Sequence, residues 1–223
     1  MSTDTDAELM LRYGRGDGRA FDALYARHRL ALYRYLLRHS GDPDTASDLF
    51  QEVWGKVIAH RSRYEPRARF GTFLFRIAQH CCIDHFRRLR ARRLGSDPPD
   101  VADDADRALT LPAPDSDRPD IRAERAQSAA RYRAALARLP VEQRDVFLLY
   151  EESGLSLEEI AGISGVGVET SRSRLRYAVA KLRAALTPTE ARGDVERTVE
   201  GRAVEGRAVE GRAVGRAVTD LLS

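Results

Sequence analysis

Between Thr170 and Tyr177 the chain sets Arg172, Ser173, Arg174 and Arg176 within about two helical turns. Side chains of these types suit one kind of chemistry. A guanidinium can donate two parallel hydrogen bonds to a guanine edge, which discriminates by about 1–3 kcal/mol. Hydroxyls and further arginines can hold phosphates, which fixes register without reading sequence. The spacing fits that use. At about 100° per residue, Val168, Ser171, Leu175, Ala178, Val179 and Leu182 gather on one side. Glu169, Thr170, Ser173, Arg174, Arg176, Tyr177 and Lys181 lie opposite or flank them, with Arg172 at the border.

A solvated amphipathic helix would show the same pattern, so the decision rests on what precedes it. "GLSLEEIAGIS" opens with Ser156 and Glu159 in S-x-x-E spacing, a capping box. Leu157, Ile160 and Ala161 then face inward, and "GVG" turns the chain. A short capped helix, a glycine turn and a longer basic helix make a helix-turn-helix, a form that lays its second helix in a DNA major groove.

A second basic surface lies in the first half. The stretch from Arg61 to Phe70 carries Arg61, Arg63, Tyr64, Arg67, Arg69 and Phe70. On the helix that follows, Arg76, His80, Ile83, Arg87 and Arg90 share one face, with Phe73 near its start. Aromatics beside a cationic groove suit unstacked single-stranded bases. Packing into the core is the competing use of Tyr64, Phe70 and above all Phe73.

The elements that must position these groups read as helices. "DAELMLRY", "RAFDALYARHRLALYRYLLRH" and "SGDPDTASDLFQEVWGKVIAH" have apolar residues at helical spacing, with Asp44 as the expected N-cap of the third. After Gly95, "GSDPPDVADDADRALTLPAPDSDRPD" turns rich in Pro and Asp and reads as a flexible acidic linker. Helical signals resume near Ile121 and continue around Pro140. The end, "EGRAVEGRAVEGRAVGRAV", repeats every five residues, a period that keeps no continuous apolar face in helix or strand.

The totals exclude several classes. The chain has 223 residues, 32% of them charged, and a formal net charge of +3. Lys56 and Lys181 are its only lysines, so arginine's planar fork carries the positive charge. Cys81 and Cys82 are the only cysteines, which implies no disulfide framework. The acidic N-terminus does not read as a signal peptide, and no apolar run is long enough to span a bilayer. "HCCIDH" lacks the usual zinc spacings, and Cys81 is expected in the core. No catalytic constellation, metal site or cofactor motif is present, so no enzyme activity is expected.

Two basic helical modules joined by an acidic linker resemble the extracytoplasmic-function (ECF) sigma factors of the sigma-70 family. "DLFQEVWGKV" (48–57), "FGTFLFRIAQHCCIDHFRR" (70–88) and "LPVEQRDVFLLYEESGLSLEEIAGISGVGVETSRSRLRYAVAKLR" (139–183) carry the likeness, in the order region 2 then region 4. The resemblance implies an all-α chain: a region 2 helical domain at 4–94, a linker at 95–120, a region 4 helix-turn-helix at 121–187 and a low-complexity tail at 188–223. It implies binding to core RNA polymerase through the β′ clamp helices and β flap. Promoter DNA is then read at −10 and −35, with help in melting and no nucleotide hydrolysis.

Residue by residue, Asp48, Gln51 and Glu52 would dock on core polymerase. Arg61, Arg63, Tyr64, Arg69, Phe70, Arg76, His80 and Arg87 would contact the −10 element. Thr170, Arg172, Ser173, Arg174, Arg176 and Tyr177 would contact −35. The resemblance places such a protein in the bacterial cytoplasm and admits an anti-sigma factor as a further partner. Two positions depart from the family. His80 stands where its "RIA-x-N-x-x-ID" pattern has Asn, which leaves the −10 base preference open, and Tyr177 replaces a frequent basic residue. A stand-alone helix-turn-helix regulator is the alternative; it would bind duplex operator without polymerase.

Overall fold

A computed structural model describes residues 4–93 and 119–187, and all regular structure among them is helical. The expected linker core and pentapeptide tail lie outside the described residues. Among the described residues eight α-helices follow in order: α1 Asp6–Gly14, α2 Gly18–Ser40, α3 Pro43–Ala59, α4 Phe70–Arg93, α5 Pro119–Ala137, α6 Val141–Ser153, α7 Leu157–Ser164 and α8 Val168–Leu186. A 3₁₀ turn, Arg61–Arg63, connects α3 to the loop before α4.

Local chemistry explains the boundaries. Thr5 and Glu8 close a reciprocal capping box on α1. The Asp17 carboxylate accepts from the backbone N–H groups of Arg19 and Ala20 at the start of α2. Gly41, at φ 77°, lets the chain turn left-handed where α2 stops. The cap of α3 is Asp42, not Asp44. Asp42 is extended and accepts from the Thr45 N–H at 2.8 Å, while Pro43 supplies the ready-made first turn. Asp44 falls inside that turn, where its charge faces the positive helix end.

The chain divides into two compact units, Met1–Leu111 with Leu148–Ser171, and Pro112–Phe147 with Arg172–Ser223. In the first, α2 packs on α1, α3 and α4, and α3 packs on α4. Leu24, Leu32, Tyr35 and Leu36 of α2 meet a core that includes Leu49, Val53 and Val57 of α3 and Leu74, Phe75 and Ala78 of α4. Tyr35 and Phe75 meet edge to face at 5.5 Å, a favoured aromatic geometry. In the second unit, Tyr132, Leu136, Leu139, Val146, Phe147, Leu175, Ala178 and Leu182 are buried.

One glycine is demanded by a close approach. A Cβ on Gly14 would lie 2.6 Å from the Arg61 carbonyl oxygen, a backbone atom with little room to retreat. Gly14→Ala is therefore expected to destabilise the fold by roughly 1–3 kcal/mol, the usual cost of overpacking. Urea denaturation should show it as a lower midpoint. Gly18→Ala, where nothing lies within 4 Å, should leave the midpoint unchanged or raise it.

Candidate nucleic-acid interface

The loop between α3 and α4 encloses a pocket. His60, Arg63, Tyr64, Glu65, Arg67 and Phe73 line a space of about 330 Å³. Its supports come from three elements. The ring of His60 donates from Nδ1 to the Lys56 carbonyl at 2.7 Å, which fixes the imidazole. Arg61 donates to the Ile58 carbonyl at 3.0 Å, and its guanidinium lies 6.0 Å from the centre of the Tyr13 ring. Arg67 pairs with Glu65 at 2.6 Å, both well exposed.

Beneath the loop sits an aromatic cluster. Tyr64 packs on Phe73 at 5.2 Å and on Phe70 at 6.3 Å, and His28 packs on Phe70 at 5.1 Å. Phe70 is only 2% exposed, so its ring is a floor for the loop rather than a free face. Phe73, for which the sequence favours a core place, is half-buried and lines the pocket. Tyr64 is buried, and its hydroxyl has no hydrogen-bond partner among the described residues. Burial and the nearby Asp6 charge push that hydroxyl's pKa above the ordinary value.

α1 braces this cluster from behind. Asp6 bonds His28 Nε2 at 2.7 Å and Arg27 at 2.7 Å. Burial alone would raise the Asp6 pKa, but these two partners outweigh it and hold the carboxyl below its usual range. The sequence does not single out Tyr13, Gly14, His60 or Glu65. Basic and aromatic side chains stand out in a sequence, whereas nothing local marks a helix end or a glycine as part of a loop's support.

Arg76, His80, Ile83, Arg87 and Arg90 all stand exposed on α4, as their spacing required. Cys81 and Cys82, on the other side of the helix, are fully buried. Burial pushes the Cys81 thiol up to about 11, so it stays protonated. Lys56 lies 3.3 Å from its sulfur.

The α3 face divides in two. Asp48 and Gln51 are exposed. Glu52 is half-buried and occupied: Lys56 holds it at 2.7 Å and Arg88 at 3.6 Å. Burial pushes the Glu52 carboxyl up, yet the Lys56 hydrogen bond prevails and its pKa is lowered. A positive residue at position 52 would thus disturb the α3–α4 packing as well as any docking face.

The Ser156–Glu159 capping box is complete in both directions, at 3.2 and 2.9 Å. Gly165, at φ 66°, ends α7 in the left-handed region. On α8, Ser171, Leu175, Ala178 and Leu182 are buried, with Val168 and Val179 half-buried. Thr170, Arg172, Arg176 and Tyr177 are exposed, and Ser173 and Arg174 are half-exposed. Arg176 lies over the Tyr177 ring at 5.4 Å, a cation–π contact that gives Tyr177 a positively charged neighbour.

Residues 24–93 match the family model Sigma-70 region 2, and residues 129–182 match Sigma-70, region 4. The chain is 32% identical over 182 residues to the ECF RNA polymerase sigma factor SigM of Mycobacterium tuberculosis (strain H37Rv). That alignment spans 80% of this chain and 83% of SigM. The chain belongs to the ECF sigma factors.

This sigma factor is also 32% identical to the RNA polymerase sigma-H factor of Pseudomonas aeruginosa, over 84% of its own length and 97% of that protein. Among solved structures it is similar to CnrH in complex with the cytosolic domain of CnrY. The TM-score there is 0.58 at 28% identity, covering 82% of this chain and 97% of CnrH. It is likewise similar to RpoE in complex with the anti-sigma factor NepR from Bartonella quintana. That match has a TM-score of 0.58 at 25% identity and covers 74% and 96% of the two chains. The sigma factor therefore acts with RNA polymerase in promoter-specific transcription initiation, and core polymerase and promoter DNA are its partners. The stand-alone regulator is not favoured.

Proposed function

We propose that this sigma factor divides promoter recognition between its two family-matched segments. A region 2 domain over 4–94 melts and reads −10, and a region 4 domain over 121–187 reads −35. The 95–120 segment tethers them, and 188–223 is an appended tail. The observation that carries the −10 assignment is the pocket of about 330 Å³ at the foot of the α4 arginine face. Extruding a base costs a few kcal/mol of stacking and pairing. Stacking on an aromatic ring returns about 1–3 kcal/mol, and Phe73, half-buried beside the more deeply buried Tyr64, offers such a ring in the pocket lining. Glu65 supplies an acceptor and Arg63 a donor for the base edge, while Arg76, His80 and Arg87 lie outward for the strand. Binding alone drives the exchange; no side chain acts as a catalyst.

Thr170, Arg172, Ser173, Arg174, Arg176 and Tyr177 of α8 face the −35 duplex in this reading. On the polymerase side, the exposed Asp48 and Gln51 make the docking contact, with Glu52 held behind them by Lys56. The site of action is the bacterial cytoplasm, and an anti-sigma factor is a further partner, as for the RpoE relative.

Gel shifts with and without core enzyme test the reading. Asp48→Arg should weaken core binding at least several-fold in a direct titration, because rim charges steer association, while the thermal melt stays put. Unchanged affinity would remove α3 from the docking face. Tight duplex binding by the chain alone, unaffected by core polymerase, would overturn the assignment of roles.

A further inference from the structure

Tyr177 is 53% exposed, and every other aromatic ring among the described residues is buried or half-buried. A single exposed ring needs no explanation by itself, but the place of this one on α8 does. Ser171, Leu175, Ala178 and Leu182 form the buried row of that helix. At about 100° per residue, Ser173 and Ala180 fall almost opposite the row, with Arg176 and Tyr177 about 50° to either side of them. Both central residues are small, so the guanidinium and the ring project beyond what lies between them.

The two long side chains meet. The Arg176 guanidinium lies over the Tyr177 ring at 5.4 Å, and among the described residues no carboxylate pairs with Arg176. Such a contact orders a guanidinium without using any of its N–H donors. It orders the ring as well, and more than half of Tyr177 still faces solvent. In a major groove few groups match an apolar ring. Guanine, adenine and cytosine present polar edges there, whereas thymine adds a 5-methyl group beside its O4 acceptor. A phosphate, reached through the phenol hydroxyl, is the competing target. Arg176 is the better phosphate ligand and lies alongside. What the ring adds to that guanidinium is apolar surface.

We propose that Tyr177 is a specificity-determining residue at −35: its ring, held by Arg176, lies against the 5-methyl group of a thymine in the major groove. The inference rests on the −35 reading by α8 given above. At that one position the sigma factor separates thymine from cytosine by a methyl contact rather than by a hydrogen bond. Burying a single methyl group gives about a fourfold preference.

The test uses holoenzyme formed from core polymerase and the full chain, on a promoter that the native protein selects from genomic fragments. Each −35 thymine, on either strand, is replaced in turn by uracil, which removes the methyl and keeps every hydrogen-bonding group. At one position, initiation below saturation should fall about fourfold with the native chain. Tyr177→Ala should initiate more weakly on the thymine template and lose the difference between thymine and uracil at that position. Tyr177→Phe should keep the difference, because the ring makes the contact. The inference is overturned if no −35 position distinguishes thymine from uracil with the native chain, or if Tyr177→Ala retains the distinction. A Tyr177→Phe chain as weak and as insensitive as Tyr177→Ala would assign the hydroxyl to a phosphate and overturn it too. Arg172→Ala and Arg174→Ala report separately on the helix. If they weaken initiation while uracil has no effect, the −35 reading stands without the methyl contact; if they and every −35 base change are silent, that reading falls as well.

Discussion

Phe70→Ala should cost this sigma factor about 3–5 kcal/mol of stability, the range for emptying a buried aromatic site. The ring is 2% exposed and touches His28, Tyr64 and Phe73, rings drawn from α2, the loop and α4. For a domain this small, such a loss is a large share of the total. Chemical denaturation should show a much lower midpoint, and core binding and initiation should fall together because the loop loses its floor. Phe73→Ala should behave differently. That ring is half-buried at the pocket wall, so the fold should survive with a modest loss. Promoter opening, followed by permanganate reactivity of unpaired thymines, should drop by roughly tenfold, about 1–3 kcal/mol of stacking. If Phe70→Ala leaves stability intact while abolishing opening, Phe70 is the stacking residue and the assignment of the two rings is reversed.

Arg172→Ala and Arg174→Ala should each reduce initiation at −35-dependent promoters by roughly ten- to hundredfold, as loss of a guanidinium on a base edge predicts. Core affinity should be unaffected, since neither residue lies on the proposed α3 docking face. The affected positions should differ between the two variants: a base contact relaxes preference at one site, while a phosphate contact weakens all sequences alike. Start-site mapping over a genomic fragment library would separate the cases. Normal initiation by both variants at every promoter would remove α8 as the reading helix.

The helix-turn-helix was legible from sequence because its signals are local. The Ser156–Glu159 box, the Gly165 turn and the burial of Ser171, Leu175, Ala178 and Leu182 are set by neighbours a few positions apart. The same holds for the α4 arginine face, whose exposed and buried sides follow from the helical repeat alone. The cap of α3 lies two residues earlier than the sequence suggests, because Asp42 and Asp44 flank one proline and only backbone geometry shows which carboxylate reaches the Thr45 N–H.

Tertiary structure alone decided the exchange of roles between Phe70 and Phe73, which are one turn apart and chemically identical. Which of them is floor and which is wall depends on where His28 and Tyr64 arrive. It alone brought Gly14 against Arg61 and Asp6 against His28. Sequence periodicity reports which side of a helix is buried. It carries no information on which distant group will be there, because that partner is chosen by packing in three dimensions.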